Sequence, residues 1–481
     1  MTARRVHSHG AGRADRAPEA IRLTIKRVRA VERPVRLRLP FRFGDALVTE
    51  TAEAYAEVTA EGPNGRVTGV AAQLMVPRWF DKRPGLTNAD TVEALRDSVR
   101  AAASAAPGLS GSVAALTAEL RAAGLAALSE MPRLAAGFGP ALLEAALIDA
   151  VCRAANLPFH AAASSDLFGM AALAPPDLPA EALSPALAAL EPRWEMAVRH
   201  TVGYDAPLTE AEIGPDAQRD GRPVSLSAVI AATGCRWFKI KLKGDPAADL
   251  ARLAAVAAVL DAEAGDYRAT LDANEQYAPD PLAAFLSAFS ADPRLEAFRR
   301  RVLFLEQPFP REIALETPPP AGLPCVIDES DDADDAFPRA ARLGWAGVSA
   351  KSCKGVLRAL LNTARVARLR ANGRDAILTA EDLTCQPGLC LQQDTLMAAL
   401  TGAAHAERNG WHFAGGMQGA SEAERGRFLA AHPDLYDIVD GGVRLRIEDG
   451  RLRFTSLDAP GFGSAAQVDL SRDTLIAEQG T

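Results

Sequence analysis

The sequence predicts an α/β protein built on repeated β-α units that close into a parallel barrel, preceded by an N-terminal α+β region. Three observations predict it. Between Trp237 and Lys354, five short apolar runs end in charge: WFKIKLKGD (237–245), TLDANEQY (270–277), LFLEQPF (303–309), CVIDES (325–330) and VSAKSCKG (348–355). The segments between them are longer, and several have helical apolar spacing, such as PAADLARLAAVAAVLDAEAG (246–265). Strands alternating with helices are the pattern of a parallel sheet. Finally, charges at the trailing ends of buried strands are costly unless paired or bound, and a closed barrel gathers those ends on one face, where its chemistry is sited.

The charges are of two kinds. Asp272, Glu306 and Asp328 are carboxylates on three consecutive strands. Clustered, they raise one another's pKa, and a hard divalent cation such as Mg²⁺ relieves that repulsion with oxygen ligands. Lys239 and Lys241 alternate along one strand and so share a face. Lys351 comes from a strand beyond the carboxylates and, in a barrel, sits across the mouth from Lys241. A metal flanked by two opposed lysines suits removal of a proton next to a carboxylate, with the metal holding the enolate charge and a lysine taking the proton. A lysine base must be partly neutral, and nearby cations lower its pKa. Lys243 shares a face with Lys241 and is a rival base; Lys354, past the strand end, is read as solvated.

The order Lys-x-Lys, Asp-x-Asn, Glu-Gln-Pro, Asp-Glu-Ser, Lys resembles the enolase superfamily. It is most similar to the muconate lactonizing enzyme and dipeptide epimerase branch of the mandelate racemase-like proteins, over residues 20 to 465. The resemblance implies a modified TIM barrel, (β/α)7β, with an N-terminal α+β capping domain completed by the C-terminal segment, and a Mg²⁺-stabilised enolate. It implies Asp272, Glu306 and Asp328 as metal ligands, Lys239 and Lys241 as the Lys-x-Lys pair, Lys351 as the sixth-strand lysine, and Asn274 and Glu329 as supporting residues. Spacing to the following Gly-Asp favours Lys241 over Lys243. Substrate contacts are expected from cap-loop residues such as Phe43 and Trp79, and from Glu381 or Asp382 at the end of the seventh strand; Glu407, Asn409 and His412 are further candidates. The reaction implied is racemisation or epimerisation, or cycloisomerisation or elimination, on a small-molecule carboxylate. The alternatives are an acid-sugar dehydratase and a non-catalytic protein that keeps the fold. The chain lacks the seventh-strand histidine of the histidine-base branch, which weighs against the dehydratase.

Composition bounds the rest. The 481 residues allow two or three domains, and a net charge of −8 argues against a nucleic-acid binder. No long apolar run free of charge is present, so no membrane span is expected. Six scattered cysteines without CxxC spacing read as reduced thiols, hence a cytoplasmic protein. Residues 1–19 are polar and arginine-rich, without the apolar stretch of a secretory signal, and read as a disordered tail. The predicted division is a cap over 20–158, a barrel over 190–418, and a segment over 419–481 that returns to the cap. Residues 172–195 read as a connection and 205–223 as a surface excursion. Two strands in 441–463 are expected to meet at a Glu-Asp-Gly turn. By family analogy the protein is expected to form a homo-oligomer.

Overall fold

The structure, a computed structural model, describes residues 19–481 apart from 45, 216, 217 and 219; the tail predicted for 1–19 lies, but for its last residue, outside the described residues. Alternating apolar and polar residues form three long antiparallel strands, β1 (Leu23–Phe43), β2 (Ala46–Gly62) and β3 (Gly65–Leu74). The last two turn at the Gly-Pro-Asn-Gly sequence, with Gly62 facing Gly65 in register. Helices Asn88–Ala105, Val113–Ala127 and Phe138–Ala155 pack with this sheet. Thr87 and Asp90 form a capping box at the first, and the Ser112 hydroxyl accepts from the Ala115 amide at the second. The third lies so close to β3 that a Cβ on Gly69 would sit 2.0 Å from the Ala146 carbonyl oxygen, so glycine is required there. The segment Arg133–Ala155 is long and apolar enough to cross a membrane, yet 94% of its apolar window is buried inside the protein. It is the core helix of the cap.

Eight parallel strands form the barrel: Glu195–Val202, Trp237–Lys241, Arg268–Asp272, Val302–Glu306, Cys325–Ile327, Gly347–Ala350, Ile377–Ala380 and His405–Glu407. The eighth pairs with the first and closes the ring. Phe238 and Ile240 are fully buried between barrel and helices, while Lys239 and Lys241 alternate with them and point inward, as strand periodicity requires. The helix Pro246–Glu263 begins with Asp245 accepting from two backbone amides and proline in its first turn. In a closed ring of eight, strands two and six stand opposite one another, which sets Lys241 across from Lys351.

In the C-terminal segment the expected Glu-Asp-Gly turn forms, with Glu448 and Arg451 exchanging backbone hydrogen bonds at 3.0 and 2.9 Å, but the strands on either side of it pair elsewhere. Gly442–Leu445 pairs with Tyr436–Val439, while Arg451–Arg453 runs antiparallel to Glu195–Ala197. The first barrel strand begins before the second, whose pairing starts at Arg199 with Trp237; the early residues leave an open edge, and Arg451–Arg453 covers it. The cap sheet is completed by Thr474–Gly480, antiparallel to β1. Buried Arg33 anchors this return, with its guanidinium 2.8 Å from Glu424 and 2.9 Å from Asp473. The connection 172–195 contains a helix, Ala180–Ala188. The excursion after the first barrel strand is tied to the cap by Arg38, which bonds Asp220 at 2.6 and 2.9 Å.

His432, in the same segment, is buried between the hydroxyls of Ser456 and Ser464 at 3.0 and 3.1 Å. Burial pushes its imidazole down to about 4, whereas in an unfolded chain histidine takes a proton near about 6.5. The neutral ring therefore contributes stability that is complete above that unfolded value and is lost as the pH falls toward the folded one. Relative to His432→Gln, the parent should lose about 1.4 kcal/mol of unfolding free energy per pH unit across that window. Denaturant titrations at several pH values measure it; parallel curves for the two proteins would remove His432 as the source.

Candidate active site

The Lys239 ammonium stands at the centre of the barrel mouth. Its Nζ lies 2.5 Å from Glu381, 2.9 Å from Glu306, 3.0 Å from Glu407 and 3.1 Å from Asp272. Burial alone would drive its proton off, but the four carboxylates more than reverse this and hold its pKa well above the ordinary lysine value. Arg199, from the first strand, is also fully buried and pairs with Glu381. Burial raises the Glu306 carboxyl well above its usual range, and the charges of Asp272 and Glu381 raise it further. The Glu306 Oε2 atom is buried and accepts no aligned hydrogen bond, although the Lys239 ammonium lies 2.9 Å away.

Two more lysines flank this centre. Lys241 donates to Asp272 Oδ2 at 2.6 Å and to Asn274 Oδ1 at 2.7 Å, and Nζ lies 6.0 Å from the Phe41 ring centroid. On the opposite side Lys351 donates to Asp328 Oδ2, and its Nζ sits 4.6 Å over the Trp79 ring, a cation–π contact. Burial lowers the Lys351 pKa, but the Asp328 charge raises it further, so it is held above the ordinary value. Burial raises Asp328, but Lys351, Lys354 and Lys239 together hold it well below the carboxylate range. Each cap loop thus sets one aromatic ring against one lysine. Phe43 packs behind Phe41, ring centroids 5.9 Å apart, and lines a separate cavity at the seam between cap and barrel.

Local sequence explains several placements. Gln307, of the Glu-Gln-Pro motif, uses its side-chain oxygen to accept from the amides of Asp328 and Ser330 at 2.8 and 3.2 Å, and so fixes the fifth strand's acid relative to the fourth's. Asn274 adopts a positive φ of 43°, a region asparagine tolerates. Its carboxamide donates to Glu329 Oε1 at 3.3 Å while accepting from Lys241. Glu381 turns into the barrel. Asp382 accepts from the Thr384 amide at 3.0 Å, has an unpartnered Oδ2, and is pushed by burial up to about 8. Glu407 accepts from Lys239, Thr201 and Asn409. His412 lines a cavity beside the mouth.

Other residues of the site escaped the sequence reading. Lys354 is buried, not solvated: it donates to the carbonyls of Ser349 and Asp328 at 2.7 and 3.0 Å, because the chain turns back after Lys351 in a short helical turn, Ser352–Lys354. Lys82, in the cap loop, bonds Glu329 at 3.2 Å, Glu275 at 2.5 Å and the Asn274 carbonyl at 2.9 Å. Arg311 clasps Glu275 at 2.8 and 2.9 Å and reaches the carbonyls of Trp79 and Phe80. A lone lysine beside Trp79 in the sequence carried no mark of these partners.

The three acids suit a hard divalent cation chemically: all offer carboxylate oxygens, Glu306 Oε2 accepts no aligned hydrogen bond, and Asp272 and Glu306 already share one cation, the Lys239 ammonium. As placed, each acid is drawn to a lysine, and among the described residues no three acidic, imidazole or thiol side chains stand at metal-binding separation.

Neither a family model nor a curated protein matches the chain; solved structures do. A mandelate racemase/muconate lactonizing protein from Herpetosiphon aurantiacus is 20% identical, with 92% of this chain and 99% of that one covered and a TM-score of 0.57. An enolase superfamily member from Roseovarius nubinhibens, complexed with magnesium, is 18% identical, covers 95% and 100%, and has a TM-score of 0.60. A dipeptide epimerase from Enterococcus faecalis, complexed with Mg and the dipeptide L-Leu-L-Tyr, is 16% identical, covers 92% and 99%, and has a TM-score of 0.58. The chain therefore has the capped-barrel fold of the mandelate racemase, muconate lactonizing enzyme and dipeptide epimerase proteins of the enolase superfamily.

Proposed function

We propose that the protein is an enolase-superfamily isomerase or lyase that removes a proton α to the carboxylate of a small molecule. The observation that carries this reading is the opposition of Lys241 and Lys351. They come from opposite barrel strands, each against a different acid and each faced by an aromatic ring from a different cap loop. Asp272, Glu306 and Asp328 would hold Mg²⁺, which when bound supplies positive charge to the substrate carboxylate and draws the Asp328 charge away from Lys351.

In this reading one amine takes the α-proton and the other returns it from the opposite face, giving racemisation or epimerisation. If the second amine instead only faces the developing charge, elimination or cycloisomerisation follows. Lys239 stays protonated among its four carboxylates and serves as a fixed positive charge. Asn274 aims Lys241, and Glu329 holds Asn274. Trp79 and Phe41 exclude water from the two amines. The pairing of each buried lysine of the site with an acid also supports a second reading, a ligand-binding protein that keeps the fold without turnover. Incubation with Mg²⁺ and a panel of carboxylic acids in D2O tests between them. α-Deuterium should appear in at least one acid; its absence throughout, with Mg²⁺ shown to be bound, would favour the second reading.

Lys351→Ala should lower turnover by about 10²–10⁴-fold, the usual worth of a positioned acid or base, while Mg²⁺ binds as well as before or more tightly. Retention of full activity would take Lys351 out of the mechanism. Glu306→Gln should weaken Mg²⁺ by at least about tenfold, since even groups behind the ligands of a metal cost about 10–100-fold. Calorimetric titration reads this directly, and an unchanged affinity would break the ligand assignment.

A further inference from the structure

The turn after the third barrel strand is strained. Asn274 and Glu275 are consecutive non-glycine residues with positive φ, 43° and 73°. Asparagine tolerates this region; glutamate does so far less, because its Cβ crowds the following carbonyl oxygen. Such a conformation persists only where its surroundings over-determine it.

The groups that fix the turn come from both domains. On the barrel, the Glu275 amide donates to the Gln307 carbonyl at 2.8 Å. The Glu275 carboxylate accepts from the Arg311 amide at 2.7 Å and from its guanidinium at 2.8 and 2.9 Å. From the cap loop, Lys82 reaches the same carboxylate at 2.5 Å and donates to the Asn274 carbonyl at 2.9 Å, which also accepts from the Gln276 side chain at 3.1 Å. Its third bond, at 3.2 Å, runs to Glu329 Oε1, the atom that accepts from the Asn274 carboxamide. Lys82 thus grips Asn274 twice, at its backbone carbonyl and, through Glu329, at its side chain.

Asn274 passes this grip on to one amine. Its side-chain oxygen accepts from Lys241 at 2.7 Å, and that amine's other bond runs to Asp272 Oδ2. Lys351, across the mouth, is held by Asp328 instead. The Lys82 side chain is 23% exposed, whereas those of Glu275 and Glu329 are 5% and 0% exposed, so the cap contributes the solvent-facing member of the network.

We propose that Lys82 is a positioning residue for Lys241: seated on the turn, it holds Asn274 and Glu275 in the strained conformation that aims the Asn274 carboxamide at that amine, so that proton transfer on one face of the substrate depends on the cap loop. The proposal rests on the proton-abstraction reading in taking Lys241 as the base of that face. Loss of the Lys82 contacts frees the turn to relax, which carries the Asn274 oxygen away from Lys241 and leaves Lys351 on Asp328. Proton transfer is sensitive to such placement, a shift of about 1 Å costing about 10²-fold.

The test uses the full chain at saturating Mg²⁺. Lys82 lines the seam cavity of about 330 Å³, so methionine fits in its place; Lys82→Gln serves if Lys82→Met does not fold. Crystals of the variant should show Asn274 and Glu275 at negative φ, with Asn274 Oδ1 beyond hydrogen-bonding distance of Lys241. In D2O, α-proton exchange is followed separately for the two enantiomers of a chiral acid that the parent turns over, and Lys241→Ala identifies the enantiomer whose proton Lys241 takes. Lys82→Met should slow exchange of that enantiomer by about 10²-fold and leave the other near the parent rate. Lys82→Cys alkylated with 2-bromoethylamine rebuilds an ammonium of similar reach and should recover the loss; the six native cysteines are buried and shielded from the reagent. An unchanged turn in the variant, a loss that alkylation does not recover, or equal loss from both enantiomers would overturn the role of Lys82, since a merely structural loop contact serves both faces alike. No exchange of any acid by the Mg²⁺-bound parent, or exchange of both enantiomers that survives Lys241→Ala, overturns Lys241 as a base instead, and the crystal structures then decide by themselves whether Lys82 holds the turn.

Discussion

The Lys239 ammonium is the interaction on which the centre of this barrel depends. Four carboxylates from four different strands converge on one nitrogen, at 2.5 to 3.1 Å. Without a cation these acids would be buried like charges in a low-dielectric interior, and leaving such a charge unpaired costs about 3–5 kcal/mol. Arg199 adds a second buried cation against Glu381. The barrel can therefore carry a dense anionic cluster at its mouth because a matching set of cations comes from its own strands. That balance accounts for the raised pKa of Lys239 and for the depressed values of Asp272 and Asp328.

A second network joins the cap to this centre. Arg311, on the barrel, clasps Glu275 and reaches the backbone of Trp79 and Phe80 in the cap loop. From the cap, Lys82 answers by bonding Glu275, Glu329 and the Asn274 carbonyl. Through Asn274, the chain of contacts ends at the Lys241 amine. The loop that sets Trp79 over Lys351 is thus held by the same groups that orient the lysine on the other side. Cap and barrel are built as one site, although the sequence separates Lys82 from Glu329 by 247 positions.

The charges of the barrel strands were legible because a parallel strand buried on both faces is apolar, so an acid or amine at its end stands out. That reasoning isolates Asp272, Glu306, Asp328, Lys239, Lys241 and Lys351 from local pattern alone. It fails where a residue's meaning depends on a distant partner. Lys354 reads as a solvated end until the turn Ser352–Lys354 folds it under the strand. Arg199 carries no local mark of its role, which appears only when Glu381 and Thr379 close around it. Arg451–Arg453 reads as half of a hairpin until the exposed start of the first barrel strand claims it.

The sequence by itself determined the order of strands and helices, and with it the gathering of acids and amines at one end of a barrel, since period-two and helical spacing are local properties of the chain. Only the tertiary structure decided which acid faces which amine, which cap ring covers each lysine, and that two histidines 212 positions apart by number, His200 and His412, line one apolar space. Those pairings arise from ring closure and from the cap folding over the mouth, and neither leaves a periodic trace in the residues that take part.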